Sequence, residues 1–179
     1  MTRWEPMLLE LGSQRRGRLL SFATMLAGPS EADDLVQDAV IAVFSKHRGF
    51  ESVAQAEQYV RRAIATRFID GTRKRAAERE RMRRTAVPEA VADHAERVAT
   101  GEALDDALAT LAPRVRACVV LRFVEDMSIR ETAHVLGLSE GAVKRYVSDG
   151  LKALNTTLGT REALGEVEAA PVTANGGAR

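Results

Sequence analysis

The chain has 179 residues; 26 are lysine or arginine and 25 are aspartate or glutamate, so its formal net charge at pH 7 is +1. Hydrophobic residues make up 45% and aromatic residues only 4%, which favours helices packed through aliphatic side chains. A single cysteine excludes an internal disulfide, and no apolar run approaches the roughly 20 residues of a membrane span. Because the first residues also lack a signal-peptide pattern, we expect a cytoplasmic protein.

Apolar periodicity divides the chain into four segments and predicts an all-α fold of two small helical domains joined by a flexible linker. The first domain covers residues 1–76, and residues 77–101 are polar, charged and weakly periodic, as in a linker. The second domain covers residues 102–159. Residues 160–179 are rich in alanine and glycine and are predicted to be a disordered tail.

The first distinctive feature is the helix that is predicted to begin after a cap at Ser30. It has a broad apolar stripe, and on the opposite face residues at i, i+3, i+4 and i+7 line up. These four residues are Asp34, Gln37, Asp38 and Ile41. Three polar side chains around an exposed isoleucine make a small directional patch, for which an ordinary solvated face is the alternative interpretation.

The next helix is predicted to run from about Ser52 or Val53 to Arg75 and to carry a concentrated positive charge. Residues 61–84 hold ten basic and three acidic side chains, whereas residues 85–112 hold one basic and six acidic ones. Cations near a helix C-terminus interact favourably with its dipole. This excess is larger than that effect needs and is typical of phosphate contacts.

Residues 128–154 predict a helix-turn-helix. Ser128 can cap a short helix, Ala133 allows a close helix crossing, Gly137 can form the turn and Val143 can pack back into the corner. A plain helical hairpin is the alternative. If the motif binds duplex DNA, the second helix presents outward residues to the major groove. These are Glu140, Gly141, Lys144, Arg145 and Ser148, with Arg114, Arg116 and Arg122 available for backbone contacts.

An enzyme is disfavoured by the pattern of potentially reactive residues. His47, His94 and His134 lack metal-ligand spacing, and no phosphate-binding loop or nucleophile motif is present. Cys118 lies in an apolar segment and is interpreted as a small buried hydrophobe. We therefore expect no catalytic residue, cofactor, metal or small-molecule substrate.

Three motifs also occur in a specific order. They are ADDLVQDA at 32–39, then YVRRAIATRFID at 59–70 with RKR at 73–75, and finally LAPRVR at 111–116 with VLRFVEDMS at 120–128 and LSEGAVK at 138–144. Over about residues 5–158 this series resembles bacterial RNA polymerase sigma factors of the short, two-domain extracytoplasmic-function (ECF) group. The compact size and the tail resemble actinobacterial members.

The resemblance implies a role for each surface. The first surface would bind core RNA polymerase at the clamp of its largest subunit. Its residues are Asp34, Gln37, Asp38 and Ile41. The minus-ten element would be bound and opened by Tyr59, Arg61, Arg62, Thr66, Arg67, Asp70, Arg73, Lys74 and Arg75. The minus-thirty-five element would be read as duplex by Arg114, Arg116, Ser139, Glu140, Gly141, Lys144, Arg145 and Ser148.

The resemblance also implies partners and regulation. The second domain would meet the flap of the second-largest polymerase subunit, and the acidic stretch from Glu89 to Asp106 would follow the RNA-exit path. An anti-sigma factor binding between the domains, or control through the tail, would regulate activity. The charge distribution then predicts that the free chain binds DNA weakly and that the polymerase supplies most of the affinity. The competing hypothesis is a stand-alone helix-turn-helix transcription regulator that binds duplex DNA tightly by itself.

Overall fold

The computed structural model describes residues 4–46, 49–85 and 103–158, which form helices and short connections without a β-strand. The predicted all-α class is confirmed. In chain order the helices are α1 (Glu5–Glu10), α2 (Arg16–Ala27), α3 (Pro29–Lys46), α4 (Val53–Thr85), α5 (Ala103–Thr110), α6 (Pro113–Phe123), α7 (Ile129–Leu136) and α8 (Glu140–Leu158). A π-helical segment, Leu11–Arg15, joins α1 to α2. Most of the predicted linker and the tail at 160–179 lie outside the described residues.

The first domain is built from α2, α3 and α4, which pack against one another. Phe22 and Leu26 of α2, Ala39 of α3 and Ile64 of α4 are all almost completely buried. Burial of such side chains contributes about 1.5–3 kcal/mol each for the large ones. Phe50 closes the connection between α3 and α4, because its ring lies edge-on to that of Phe44 at 5.3 Å between centroids.

The corner between α2 and α3 is tighter than predicted. Gly28 ends α2 with φ of +85°, a conformation that glycine adopts without a steric penalty. Pro29 is already the first residue of α3, a position where its missing N–H is tolerated. The prediction that Ser30 caps α3 is therefore wrong, because Ser30 lies inside the first turn.

The second domain packs α5, α6 and α7 around α8. Pro113 opens α6 as predicted. The core includes Leu121 of α6 together with Val143 and Leu154 of α8. Cys118 is fully buried among them, in agreement with its interpretation as a small hydrophobe.

The two domains contact each other directly. Helix α2 packs on α5 and α6, and α4 packs on α6 and α7. Arg116 of α6 reaches into the first domain, where its Nη1 donates a 2.6 Å hydrogen bond to the carbonyl oxygen of Leu26 and its guanidinium lies 5.9 Å from the centroid of the Phe68 ring. The sequence predicted two joined units but gave no indication of this interface.

Helix α4 extends ten residues beyond its predicted end at Arg75, through Thr85. Residues 76–84 are alanine, glutamate, arginine and methionine, all strong helix formers. Ion pairs at helical spacing, Glu78 with Arg81 and Glu80 with Arg84, support this turn-by-turn continuation. The segment looked like a linker because it has no apolar stripe, but a charged helix surrounded by water needs none.

Candidate nucleic-acid and protein interfaces

The exposed face of α3 has the predicted composition. Asp34, Gln37, Asp38 and Ile41 are all exposed, and 56% of the surface of Ile41 is open to solvent. The opposite side of the helix buries Val36 and Ala39. The 3.6-residue period therefore separates the two faces as the sequence indicated, and it leaves an apolar side chain ringed by polar ones on the outside.

An apolar groove of about 310 Å³ adjoins this face. It lies between α3 and the segment that runs from α1 through the π-helical turn into the start of α2. Its apolar walls come from both elements, and Gln37 and Ile41 line it as well as the exposed face. An ion pair between Arg16 and Asp33 lies at its edge. The apolar lining residues are Leu8, Leu11, Leu19, Val36, Val40 and Ile41. No local sequence pattern indicates the groove, because the separate segments 8–19 and 33–41 form it only when they fold against each other.

Most of the cations predicted on α4 are accessible. Exposed side chains that provide hydrogen-bond donors follow one another along the helix: Arg62, Thr66, Arg67, Arg73, Lys74 and Arg75. Asp70, also exposed, is the acid among them. Arg73 lies 3.7 Å from Asp70 and Arg75 lies 3.2 Å from Glu31. Such exposed ion pairs contribute little to stability, so these cations can exchange their carboxylate partners for phosphates at low cost.

Tyr59 presents an aromatic surface at the N-terminal end of the same helix. It is 40% exposed, and its ring lies edge-on to that of Phe50 with 5.6 Å between centroids. The contact with Phe50 fixes the ring while leaving part of it open. A partly exposed ring beside a row of cations is the combination on which single-stranded bases stack.

Arg61 differs from the other cations because it is largely buried. Only 18% of its side chain is exposed, and its Nη2 lies 2.9 Å from the carboxylate of Glu57. Its Nη1 pairs with Glu125 of the second domain. Arg15, from the π-helical segment, holds the other oxygen of Glu57 at 2.8 Å. Both terminal nitrogens of the Arg61 guanidinium therefore pair with acids of this chain.

The helix-turn-helix has the local geometry that the sequence predicted. Ser128 and Glu131 form a reciprocal capping box at the start of α7, in which the Ser128 hydroxyl accepts a 3.1 Å hydrogen bond from the Glu131 amide. Gly137 ends α7 in the left-handed conformation with φ of +61°. Ser139 caps α8, accepting from the Ala142 amide at 3.2 Å. Val143 is fully buried in the corner.

The capping box also affects the charge of its acid. The backbone and hydroxyl hydrogen bonds from Ser128 lower the pKa of Glu131 from its ordinary value, and the nearby charge of Arg62 lowers it slightly further. Glu131 is thus ionised at neutral pH. It brings a negative charge to the side of α7 that faces α4.

The first half of α8 presents the predicted polar residues to solvent. Ser139, Glu140, Gly141, Lys144, Arg145 and Ser148 are all exposed. The guanidinium of Arg145 lies 5.2 Å from the centroid of the Tyr146 ring, a cation–π contact that restrains a long side chain. Arg114 is exposed at the start of α6, whereas Arg116 is half-buried in the interdomain contacts. All predicted residues of this surface except Arg116 are therefore exposed.

Other kinds of site find no support in the described parts of the chain. No group of three or more histidine, cysteine, aspartate or glutamate side chains there is arranged to hold a metal ion. None of the described helices combines the length and the apolarity that crossing a membrane requires.

Comparison with known proteins identifies the family. Residues 101–154 match the model of sigma-70 region 4. The RNA polymerase sigma-E factor of Streptomyces antibioticus is 33% identical over 141 residues, covering 77% of this chain and 76% of that protein. The ECF RNA polymerase sigma factor SigF of Caulobacter vibrioides is 31% identical over 134 residues, covering 73% and 72%. The chain belongs to the ECF sigma factors.

The fold of this sigma factor is also that of a solved relative. The sigma factor RpoE of Bartonella quintana, crystallised in complex with the anti-sigma factor NepR, superimposes with a TM-score of 0.61. The match covers 88% of this chain and 97% of that one, at 24% identity. Sigma factors are transcription initiation factors, so the exposed surfaces on α3, α4 and α8 belong to one such factor.

Proposed function

We propose that this sigma factor binds core RNA polymerase in the cytoplasm and directs promoter-specific initiation, including recognition and opening of the minus-ten region. The observation that carries the proposal is the presence, in one chain, of an exposed α3 face centred on Ile41 and an accessible recognition helix in the second domain. A stand-alone regulator needs only the second of these surfaces.

Core binding is assigned to Asp34, Gln37, Asp38 and Ile41, on the clamp of the largest polymerase subunit. Ile41→Ser removes the apolar centre of the patch and should weaken core binding at least tenfold, or about 1.4 kcal/mol. Leu104→Ser is the matched control, because Leu104 is a similarly exposed apolar residue, at 48%, in the other domain. Titration of labelled sigma factor with core polymerase measures the core affinity of both variants.

Charge reversal gives an independent test of the same surface. Asp34→Lys with Asp38→Lys should prevent holoenzyme formation, whereas Glu51→Lys, an exposed acid before α4, should not. If the double variant binds core polymerase normally, the α3 face is not the docking surface. If wild type itself does not bind core polymerase but binds duplex DNA tightly, the stand-alone regulator is the better description. The proposal also fails if wild-type holoenzyme starts transcription at no genomic promoter.

Minus-ten binding and opening are assigned to α4. The residues are Tyr59, Arg61, Arg62, Thr66, Arg67, Asp70, Arg73, Lys74 and Arg75, a basic row that begins beside an aromatic ring. Arg67→Ala should reduce strand opening by holoenzyme, measured as permanganate reactivity of promoter thymines. Arg84→Ala is the control, because Arg84 is an exposed arginine further along α4 that pairs with Glu80.

Minus-thirty-five recognition is assigned to the second domain, through Arg114, Arg116, Ser139, Glu140, Gly141, Lys144, Arg145 and Ser148. Arg145→Ala should cost about 1–3 kcal/mol if the guanidinium reads a guanine edge. It should also relax the sequence preference at one position. Lys152→Ala, an exposed cation further along α8, should leave that preference intact.

Two partners complete the proposal. The second domain would contact the flap of the second-largest polymerase subunit, and an anti-sigma factor would hold the protein inactive. Complex formation with an anti-sigma factor in the Bartonella relative supports the second partner by analogy. Affinity capture of the sigma factor from cells in which it is inactive tests for an anti-sigma factor. Capture of core polymerase alone would argue against such a partner.

A further inference from the structure

The last ten residues of α4 lie beyond the assigned minus-ten surface and form a basic extension of the helix. This α4 extension, residues 76–85, contains four arginines and two glutamates. Residues 79–84 are all exposed, and Met82 among them has 61% of its surface open to solvent. Because none of residues 76–84 is buried, packing into a core does not account for this segment of helix.

Two rows of exposed cations run along α4 from the minus-ten surface into the α4 extension. The first row is Arg67, Lys74 and Arg81, and the second is Arg62, Arg73 and Arg84. Cations of the first row are seven residues apart, or two turns, and those of the second are eleven apart, or three turns. Either spacing shifts successive side chains by only about 20° around the helix axis. Both rows therefore continue the cationic face of the minus-ten surface into the extension.

The last cation of each row is held by an exposed ion pair. Arg81 lies 2.6 Å from Glu78 and Arg84 lies 3.0 Å from Glu80, and the two arginine side chains are 77% and 78% exposed. Pairs this exposed contribute little to stability. A guanidinium binds a phosphate through the same planar arrangement of donors with which it binds a carboxylate. These two arginines can therefore exchange glutamate for the phosphates of a nucleic acid.

The direction of α4 places the α4 extension on the upstream side of the assigned minus-ten element. Tyr59, at the opposite end of α4, is the ring on which unpaired bases would stack, so the opened DNA lies at that end. The second domain follows α4 in the chain and is assigned to the minus-thirty-five element, further upstream. Ten residues of helix rise about 15 Å, the length of about four base pairs. The α4 extension therefore lies along duplex DNA between the two elements.

We propose that the α4 extension is a further DNA-binding site, which holds the phosphate backbone of the spacer duplex beside the minus-ten element through Arg81 and Arg84. The inference rests on the proposed function, because the minus-ten assignment fixes where the extension lies. Phosphate contacts position a protein on DNA without reading its bases. The site therefore adds affinity at any spacer sequence. It takes no part in strand opening, which occurs at the other end of α4.

Arg81→Gln with Arg84→Gln tests the proposal in holoenzyme, on a promoter at which wild-type holoenzyme initiates. On a fragment that retains the spacer duplex, the affinity should fall at least about fivefold, by the same factor when the spacer sequence is changed. The slope of log affinity against log salt should decrease by about two. On a forked fragment whose duplex ends at the upstream edge of the minus-ten element, variant and wild type should bind equally. Permanganate reactivity of promoter thymines at saturating holoenzyme should be unchanged.

Glu78→Gln with Glu80→Gln is the matched control. This variant breaks the same two ion pairs but leaves both arginines in place, so its affinity for the promoter should not fall. Circular dichroism should show the same helix content in the two double variants, because each loses the same pairs. A loss of affinity confined to the arginine variant is then due to its missing cations.

Four results would overturn the proposal. The first two are an unchanged promoter affinity in the arginine variant and an equal loss on the forked fragment that lacks the spacer duplex. The third is a similar loss in the glutamate variant, which would assign the effect to the helix itself. The fourth is weaker binding of the arginine variant to core polymerase without DNA, which would make the extension a polymerase-binding surface. Failure of the underlying function is recognised separately, because wild-type holoenzyme would then initiate transcription at no promoter.

Discussion

Gly150 of α8 lies directly against Val119 of α6, where the two helices cross. A Cβ atom built on Gly150 would be 2.5 Å from Cγ2 of Val119 and 2.9 Å from Cγ1 of Val115. Both distances are below van der Waals contact, and valine has little freedom to rotate away within a helix. The absence of a side chain at position 150 therefore sets how closely α8 approaches α6.

Gly150→Ala should destabilise the second domain. Overpacking costs about 1–3 kcal/mol and outweighs the gain of up to about 1 kcal/mol in helix propensity. Urea unfolding should give a lower midpoint. Gly141→Ala on the same helix meets nothing within 4 Å and should leave stability unchanged or slightly increased. Equal midpoints for the two variants would contradict the close crossing.

Gly137→Ala should also destabilise the helix-turn-helix, for a reason of backbone conformation rather than packing. Its φ of +61° places Gly137 in the left-handed region, where a Cβ costs about 1–2 kcal/mol. Gly137→Asn should lose less, because asparagine adopts this conformation more readily. Thermal unfolding of the three proteins measures the order of stability, and an alanine variant as stable as wild type would be inconsistent with the turn.

Ser128→Ala should remove the hydroxyl contacts of the capping box, while the amide of residue 128 can still donate to Glu131. The stability of the second domain should then depend less on acid. The folded pKa of Glu131 lies below its ordinary value, mainly through the hydrogen bonds of Ser128. The box therefore contributes stability above the ordinary carboxyl pKa and loses it as the pH falls through the lowered one. We expect Tm to fall by about 3–5 °C at pH 7 and the difference from wild type to shrink in acid.

A carboxyl titration by NMR checks the cause directly. The pKa of Glu131 should move up towards its ordinary value in Ser128→Ala. Ser148→Ala, at an exposed position outside the box, should leave it unchanged. A Glu131 pKa that is the same in wild type and in Ser128→Ala would show that the backbone amide of residue 128, and not the hydroxyl, lowers it.

Cys118 should be unreactive in the folded protein. Burial raises the pKa of its thiol to about 11, and no part of the residue is accessible. At neutral pH the thiol is therefore neither ionised nor reachable by a reagent. A thiol reagent such as DTNB should label native protein only at the rate of unfolding, and should label one thiol per chain in denaturant. Rapid labelling of native protein would contradict this packing.

Much of the local structure could be predicted because its causes lie within a few residues. The period of α3 separated Val36 and Ala39 from the exposed Ile41, and the positions of Ser128, Gly137 and Val143 defined the helix-turn-helix. The end of α4 was mispredicted, since a helix held by helix-forming residues and ion pairs needs no apolar stripe. Gly150 carried no local signal, because its role depends on valines about 30 residues away.

The sequence by itself determined the helical class, the family and the residue types of each surface, since period, capping and motif order depend on neighbours along the chain. Only the tertiary structure decided which of those residues are accessible. Arg61 and Arg62 are adjacent and identical in type, yet Arg61 is largely buried between Glu57 and Glu125 while Arg62 is exposed. The difference arises because a guanidinium binds whichever acid the packed helices bring within reach, and Glu125 reaches Arg61 only when α6 and α7 lie against α4.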